Sequence, residues 1–419
     1  MRIELLNIGT ELLMGFVVNT HASWIGRRLN GIGATLTRQV CVTDSGEDIH
    51  AALGEAMGRA DVVITTGGLG PTSDDITRTV VVEMLGLTTS VDEKVLDNIR
   101  ERFRKRGTPM PESTKAQAMV PVGATIFHNA NGTAPGLAIP ISSGKACRMI
   151  IMLPGPPREL HPMFEGRVLP LLRERFADLL PVLECRILRV AGLGESRVEE
   201  MVESRLRGIE GLEIGYCARP GEVDLRLVIR AKDVPTARRA IDRAEAIARE
   251  VLGEAIFGQG EEALEEALVR LLRRGHATLS TAESCTGGYL AHRITLVSGS
   301  SECFKQGWVT YSNDAKATQL GVPGHLIVEH GAVSEPVARA MAEGARVRAA
   351  TTWALAVTGI AGPIGGTPEK PVGTVFIALA GPKGTTCSHH LFALDRESFK
   401  FIVAQTAMNM LRLEVGKSG

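Results

Sequence analysis

The chain has 419 residues, 44% hydrophobic and 22% charged, the make-up of folded globular protein and too much chain for one ordinary core. Lysine plus arginine and aspartate plus glutamate stand at 47 each, so no global positive excess draws it to nucleic acid or an anionic membrane. Seven cysteines, odd in number and never in a Cys-x-x-Cys pair, argue against a disulfide framework or a zinc cage.

The opening Arg-Ile-Glu-Leu-Leu-Asn-Ile reads as a strand with no signal-peptide pattern, and no apolar run reaches spanning length. A cytoplasmic location, no membrane association and no direct nucleic-acid contact are the expectations. Through about residue 168, apolar runs at Ile3 to Ile8, Ala34 to Val42, Asp61 to Thr66 and Arg148 to Leu153 read as strands, with helical periodicity between them. Ala22, Ile25, Leu29 and Ile32 recur at helical spacing after Asn19-Thr20, and Val80, Val81, Met84 and Leu85 after Thr72-Ser73. This alternation predicts a doubly wound α/β domain over residues 1–168.

Ligands of such sheets sit beyond the carboxyl ends of strands, and four loops there carry unusual chemistry. They are Gly9-Thr-Glu-Leu-Leu-Met-Gly15, Asp44, Gly67-Gly-Leu-Gly-Pro-Thr-Ser-Asp-Asp75 and Pro154-Gly-Pro-Pro-Arg-Glu159. Gly67, Gly68 and Gly70 allow close backbone approach to phosphate, Thr72 or Ser73 can cap the following helix, and Pro154 and Gly155 of the last loop are candidate substrate-binding residues beside them. Asp74 and Asp75 would repel a bare phosphate. A divalent metal bridging carboxylates and phosphate oxygens resolves that conflict, with Glu11, Asp44 and Glu159 as further acids.

With Asn19-Thr20 in order between them, these motifs resemble the MoaB/MogA-like molybdopterin-binding fold and, more closely, the N-terminal domain of the CinA family (competence/damage-inducible protein A). The resemblance implies a metal-dependent ADP-ribose pyrophosphatase, with Asn19 among the substrate-binding residues. In the wider fold family the same loops bind molybdopterin, which remains an alternative.

Residues 169–253 change to strand, helix, strand, strand, helix: Cys185 to Val190, Arg197 to Leu206, Leu212 to Cys217, Asp224 to Ala231 and Pro235 to Leu252. A small α+β layer follows from that order. It carries no convergent catalytic set, so a spacer or dimerisation role, and a homodimer, are expected. Gly253 to Gly260 reads as a linker, which makes residues 254–419 a unit expected to fold alone.

That last unit is a second α/β pattern, with strands near Ala277 to Ala282, Gly307 to Tyr311, Thr352 to Thr358 and Val372 to Leu379, and a closing helix from about Arg396 to Leu413. Thr281-Ala-Glu-Ser-Cys-Thr-Gly-Gly288 follows the first strand and Thr310-Tyr-Ser-Asn-Asp-Ala-Lys316 the second. Ser284 needs a base, and Lys316 serves as one if burial lowers its pKa, with Tyr311 holding or relaying the proton: a Ser/Lys hydrolase site. Gly287 and Gly288 open a helix at Tyr289 to Val297 whose free amides could hold an oxyanion or phosphate. Thr358-Gly-Ile-Ala-Gly-Pro363 follows an apolar strand and presents backbone donors at Gly359, Ala361 and Gly362. Cys285 reads as a small buried residue, and the ten histidines show no metal-binding pattern.

These motifs, with Gly331-Ala-Val-Ser334, resemble the C-terminal CinA domain and the stand-alone nicotinamide mononucleotide deamidase PncC. The resemblance implies amide hydrolysis to nicotinate mononucleotide and ammonia without a cofactor, with Ser284 as nucleophile, Lys316 as base and Tyr311 as its partner. Thr286 and Thr358 remain rival hydroxyls, and Arg396 joins the substrate-binding residues. Ile364 replaces a usual aspartate before the double glycine, and Lys400 a usual arginine. The expected function is therefore a bifunctional hydrolase of small nucleotides, the alternatives being a molybdopterin-binding domain fused to the amidase or a non-enzymatic competence or DNA-damage adaptor.

Overall fold

The computed structural model describes residues 1–141 and 147–417, which form two compact units, Met1–Glu184 with Arg230–Arg238 and Cys185–Ile229 with Arg239–Gly419. The first holds β1 (Arg2–Ile8), β2 (Thr35–Val42), β3 (Val62–Thr66), β4 (Thr89–Val91), β5 (Met119–Pro121), β6 (Thr125–Phe127), β7 (Gly136–Pro140) and β8 (Met149–Leu153). A six-stranded sheet runs β2-β1-β3-β8-β7-β6, and β4 pairs with β5 apart from it. The four strands read from apolar runs are its parallel part, while β7 and β6 add an antiparallel edge.

β3 and β8 are buried along their whole length because helices cover both sheet faces. Successive residues divide accordingly. Leu5, Ile64 and Ile151 pack with Ile25 and Leu29, whereas Leu6, Val63 and Ile150 pack with Ile49 and Leu53. All four parallel strands thus end at one edge of the sheet, and the loops that follow them share that edge.

The second unit is built around β9 (Val182–Ala191), β10 (Leu212–Arg219), β11 (Glu222–Ala231) and β12 (Ile256–Gln259), in the order β10-β11-β9-β12. The segment Gly253 to Gly260 is therefore not a linker. Gly253–Ala255 is a 3-10 turn, and Ile256–Gln259 is the strand that pairs antiparallel with β9. Its glycines accompany a register shift between Ile256 and Gly258 and a left-handed Gly260, while Ile256 and Phe257 are buried. A cut at residue 254 leaves β12 without β9.

The same unit contains β13 (Leu279–Glu283), β14 (Phe304–Val309), β15 (Trp353–Gly359), β16 (Thr374–Gly381) and β17 (Gly384–Leu391), ordered β14-β13-β15-β16-β17. β14, β13 and β15 are parallel, and β16 and β17 antiparallel. Helices Leu264–Arg274 and Arg396–Gly416 bury Leu268, Leu272, Phe399 and Met408 against one face, with Ala191 and Phe257 of the middle layer in the same core. Helix Glu335–Ala349 covers the other face. Among the described residues no helix is long and apolar enough to cross a membrane.

Candidate active sites

β13 ends at Glu283, and the next residue, Ser284, is tied to the sheet by its amide, which donates to Val357 O at 3.0 Å. Lys316 comes from helix Asn313–Leu320, whose start is fixed by Ser312 Oγ accepting from the Ala315 amide at 3.1 Å. Its Nζ reaches Ser284 Oγ at 3.1 Å and Thr310 O at 2.9 Å, with only 1% of the residue exposed. Burial pushes the amine below the ordinary lysine pKa. As the ammonium it donates to Ser284. Once neutral, the same contact lets the serine hydroxyl donate to nitrogen, the arrangement an activated serine requires.

The neighbouring hydroxyls are committed elsewhere. Thr286 Oγ1 donates to Glu283 Oε2 at 2.7 Å, and Thr358 Oγ1 to Ala332 O at 2.8 Å. Burial pushes the Cys285 thiol up to about 12, leaving it protonated at neutral pH.

Two expectations need correction. Gly287 and Gly288 do have left-handed φ values, but the helix they introduce, Tyr289–Thr295, does not offer free amides. The Glu283 carboxylate takes them, accepting from Gly288 N and Leu290 N at 3.0 Å and from Ala291 N at 2.8 Å. Sequence reasoning passed over Glu283, although a carboxylate shortly before a helix start is a recognisable capping signal. Tyr311, second, is 61% exposed and its hydroxyl accepts from Arg396 at 2.8 Å, whereas Lys316 donates to Ser284 and Thr310.

Arg396 also donates to Gly362 O at 2.8 Å, so one guanidinium ties the Tyr311 loop to the Thr358–Pro363 loop. Gly362 has φ +73° and a Cβ there would overlap Val372, while a Cβ at Gly359 would sit 2.7 Å from Thr374 O. These glycines are close-packing positions. Ala361 is buried and Ile364 is exposed. Lys400 Nζ lies 5.9 Å from the Tyr289 ring centre.

In the first unit the four loops at the sheet edge enclose a cavity of about 380 Å³. Gly67, Gly68, Gly70, Pro154 and Gly155 line it with all five acids, Glu11, Asp44, Asp74, Asp75 and Glu159. Gly67 and Gly68 have φ of +96° and +66°, and a Cβ at either would strike Ile8 O or Thr77 Oγ1. Asp44 accepts from Thr10 N at 2.8 Å, and Glu159 from Asn129 Nδ2 at 2.8 Å. Carboxylate oxygens beside a glycine turn are the donors a hard divalent ion takes. Among the described residues no group of three or more His, Cys, Asp or Glu side chains is placed to hold an ion, so such an ion would need water or substrate phosphate as further ligands.

Asn19, Thr72 and Ser73 are not among the residues lining this cavity. Asn19 Oδ1 accepts from His21 N at the start of helix His21–Asn30. Thr72 donates its amide and hydroxyl to Asp75 and does not cap the next helix, which begins at Thr77. Gln117 and Thr133, which no motif had marked, do line the cavity; Gln117 Nε2 donates to Leu69 O at 2.9 Å.

Three family descriptions match: "Probable molybdopterin binding domain" over residues 4–174, "Damage-inducible protein CinA KH domain" over 185–258 and "CinA C-terminal domain" over 261–415. A CinA-like protein of Akkermansia muciniphila is 47% identical over 408 residues, covering 97% of this chain and 96% of its own length. The chain belongs to the CinA family. A CinA-like protein of Gemmatimonas aurantiaca is 41% identical, covering 98% of this chain and 96% of its own. The crystal structure of the competence/damage inducible protein CihA of Agrobacterium tumefaciens is similar at 40% identity and a TM-score of 0.34, over 37% of this chain and 97% of that one. This CinA-family chain therefore combines a MoaB/MogA-like first unit with the CinA C-terminal domain.

Proposed function

We propose that the chain is a bifunctional hydrolase that deamidates nicotinamide mononucleotide at Ser284 and cleaves ADP-ribose in the cavity of the first unit. The observation that carries the amidase reading is the 3.1 Å contact between a buried lysine and Ser284 Oγ. Lys316 takes the serine proton as Oγ bonds to the carboxamide carbon. The resulting tetrahedral intermediate collapses with cleavage of the C–N bond, and the lysine proton leaves with the nitrogen as ammonia. Water, deprotonated by Lys316, then cleaves the acyl–Ser284 ester and releases nicotinate mononucleotide.

In the first unit the left-handed turn at Gly67-Gly68 lines the cavity and would let backbone approach a phosphate there, and the acids around it would suit a divalent cation. Such a cation, when bound, neutralises phosphate charge and polarises the phosphorus–oxygen bond under attack. Asp74 and Asp75, with Glu11, Asp44 and Glu159, would hold it. Water adds to one phosphorus of the pyrophosphate and the bridging P–O bond breaks, giving AMP and ribose 5-phosphate. The matched molybdopterin-binding description supports a second reading of the same cavity. Incubating the protein with nicotinamide mononucleotide, and with ADP-ribose plus magnesium or manganese, then separating products, tests both activities. A melting shift with molybdopterin and none with ADP-ribose and metal would favour the second reading.

A further inference from the structure

The helix Tyr289–Thr295 is anchored at both ends. Glu283 holds its first amides, and Arg293 in its last turn donates to Glu265 Oε2 at 2.7 Å and to Gln405 Oε1 at 2.7 Å. Gln405, on the closing helix Arg396–Gly416, donates through Nε2 to Glu222 Oε1 at the start of β11. Glu222 also accepts from Arg189 on β9, which lies 2.9 Å from Asp224 Oδ1. Arg189, Glu222, Arg293 and Gln405 are each at most 7% exposed.

Buried charges persist only where they are paired, so this chain of contacts tolerates little displacement. Gln405 is its hinge. Its amide turns the donor end to a carboxylate and the acceptor end to a guanidinium, an orientation that cannot be reversed without setting oxygen against oxygen and nitrogen against nitrogen. Gly221, beside Glu222, has left-handed φ, and a Cβ there would lie 2.7 Å from Ile402 and 2.9 Å from Gln405, so the close approach is built into the backbone.

We infer that Gln405 is a positioning residue for the nucleophile: through Arg293 and the helix gripped by Glu283 it fixes the backbone bearing Ser284, so that the middle layer is part of the amidase site. The inference rests on the proposed role of Ser284. It extends the site across elements that carry no catalytic residue type of their own.

The test uses the full chain with Gln405→Glu and Gln405→Leu, between about pH 5.5 and 9, where a carboxyl held beside another carboxylate changes charge. Facing the introduced carboxyl are Glu222 from β11 with Arg189 behind it, and Arg293 and Glu265 from their helices. His390 of β17, Arg219 and Glu195 border the same space. Three quantities are read relative to wild type: kcat and KM for nicotinamide mononucleotide, the rate at which a fluorophosphonate labels Ser284, and the melting temperature.

For Gln405→Glu, kcat and labelling fall about tenfold at the upper pH with KM unchanged, and return to within about twofold at the lower pH, where the protonated carboxyl again donates to Glu222. Gln405→Leu is impaired at every pH. If melting temperature falls while labelling and kcat of the folded variants match wild type throughout, the inference is overturned and the network is structural only. Should Gln405→Leu fail to fold, Gln405→Glu alone decides through its pH profile. Wild-type protein that labels at Ser284 yet leaves nicotinamide mononucleotide intact would refute the substrate assignment, while the labelling ratios would still decide the positioning role.

Discussion

The Thr286 hydroxyl donates to Glu283 Oε2 at 2.7 Å, which turns a rival nucleophile into a ligand of a buried carboxylate. That carboxylate also accepts three backbone amides, so it fills the helix N-terminus beside Ser284. Glu283→Gln substitutes an NH2 group where acceptors are needed and should destabilise the fold by about 2 to 4 kcal/mol and abolish amide hydrolysis. Thr286→Val should retain turnover within about tenfold of wild type, because it removes a supporting donor only. Urea denaturation and product chromatography check both, and loss of turnover confined to the threonine variant would reverse the assignment.

The lowered pKa of Lys316 has a thermodynamic signature. Between that lowered value and the unfolded value of about 10.4, the unfolded chain binds more protons than the folded one, so stability rises with pH through this window. Lys316→Met removes the buried ammonium. Its gain in stability over wild type should be largest below the lowered pKa and shrink as pH climbs to the unfolded value, as measured by denaturant titration at several pH values. In wild type, kcat/KM should rise with pH through one ionisation centred on the lowered pKa, at the lower edge of that window.

Tyr311 and Arg396 separate binding from proton transfer. Because the Tyr311 hydroxyl accepts from Arg396, Tyr311→Phe should leave kcat within about fivefold of wild type, while Arg396→Gln should raise KM at least about tenfold. Steady-state kinetics decide it. A drop in kcat of about a hundredfold for Tyr311→Phe would restore the tyrosine to the proton path.

For the first unit, Asp74→Asn combined with Asp75→Asn should abolish metal-dependent ADP-ribose cleavage and leave deamidation unchanged, since both carboxylates line the cavity of that unit. Cleavage is assayed with and without a chelator, and cleavage that survives the chelator would contradict the metal assignment.

What the sequence disclosed follows from burial. β3 and β15 are almost wholly buried and open on apolar runs, Val-Val-Ile and Trp-Ala-Leu-Ala-Val. β17, Gly-Thr-Thr-Cys-Ser-His-His-Leu, is a half-exposed edge strand with almost no apolar signal, and β12 was hidden by glycines that serve a bulge and a turn. Within the amidase site, residue types and motif order brought Ser284 and Lys316 together across 32 positions. Glu283 left a capping signal, a carboxylate shortly before a helix start, but only the fold shows its side chain turned back onto those amides. Gln405 and Glu222 meet across 183 positions, a pairing that only the packed fold creates.

The central claim is that Ser284 forms the covalent intermediate. Rapid quenching of the full-length protein during turnover of nicotinamide mononucleotide, followed by peptide mass mapping, tests it most directly. The expected result is a nicotinate-mononucleotidyl ester on Ser284, absent from Ser284→Ala protein that is folded and inactive. An adduct on Thr286 or Thr358, or undiminished turnover by Ser284→Ala, would contradict it.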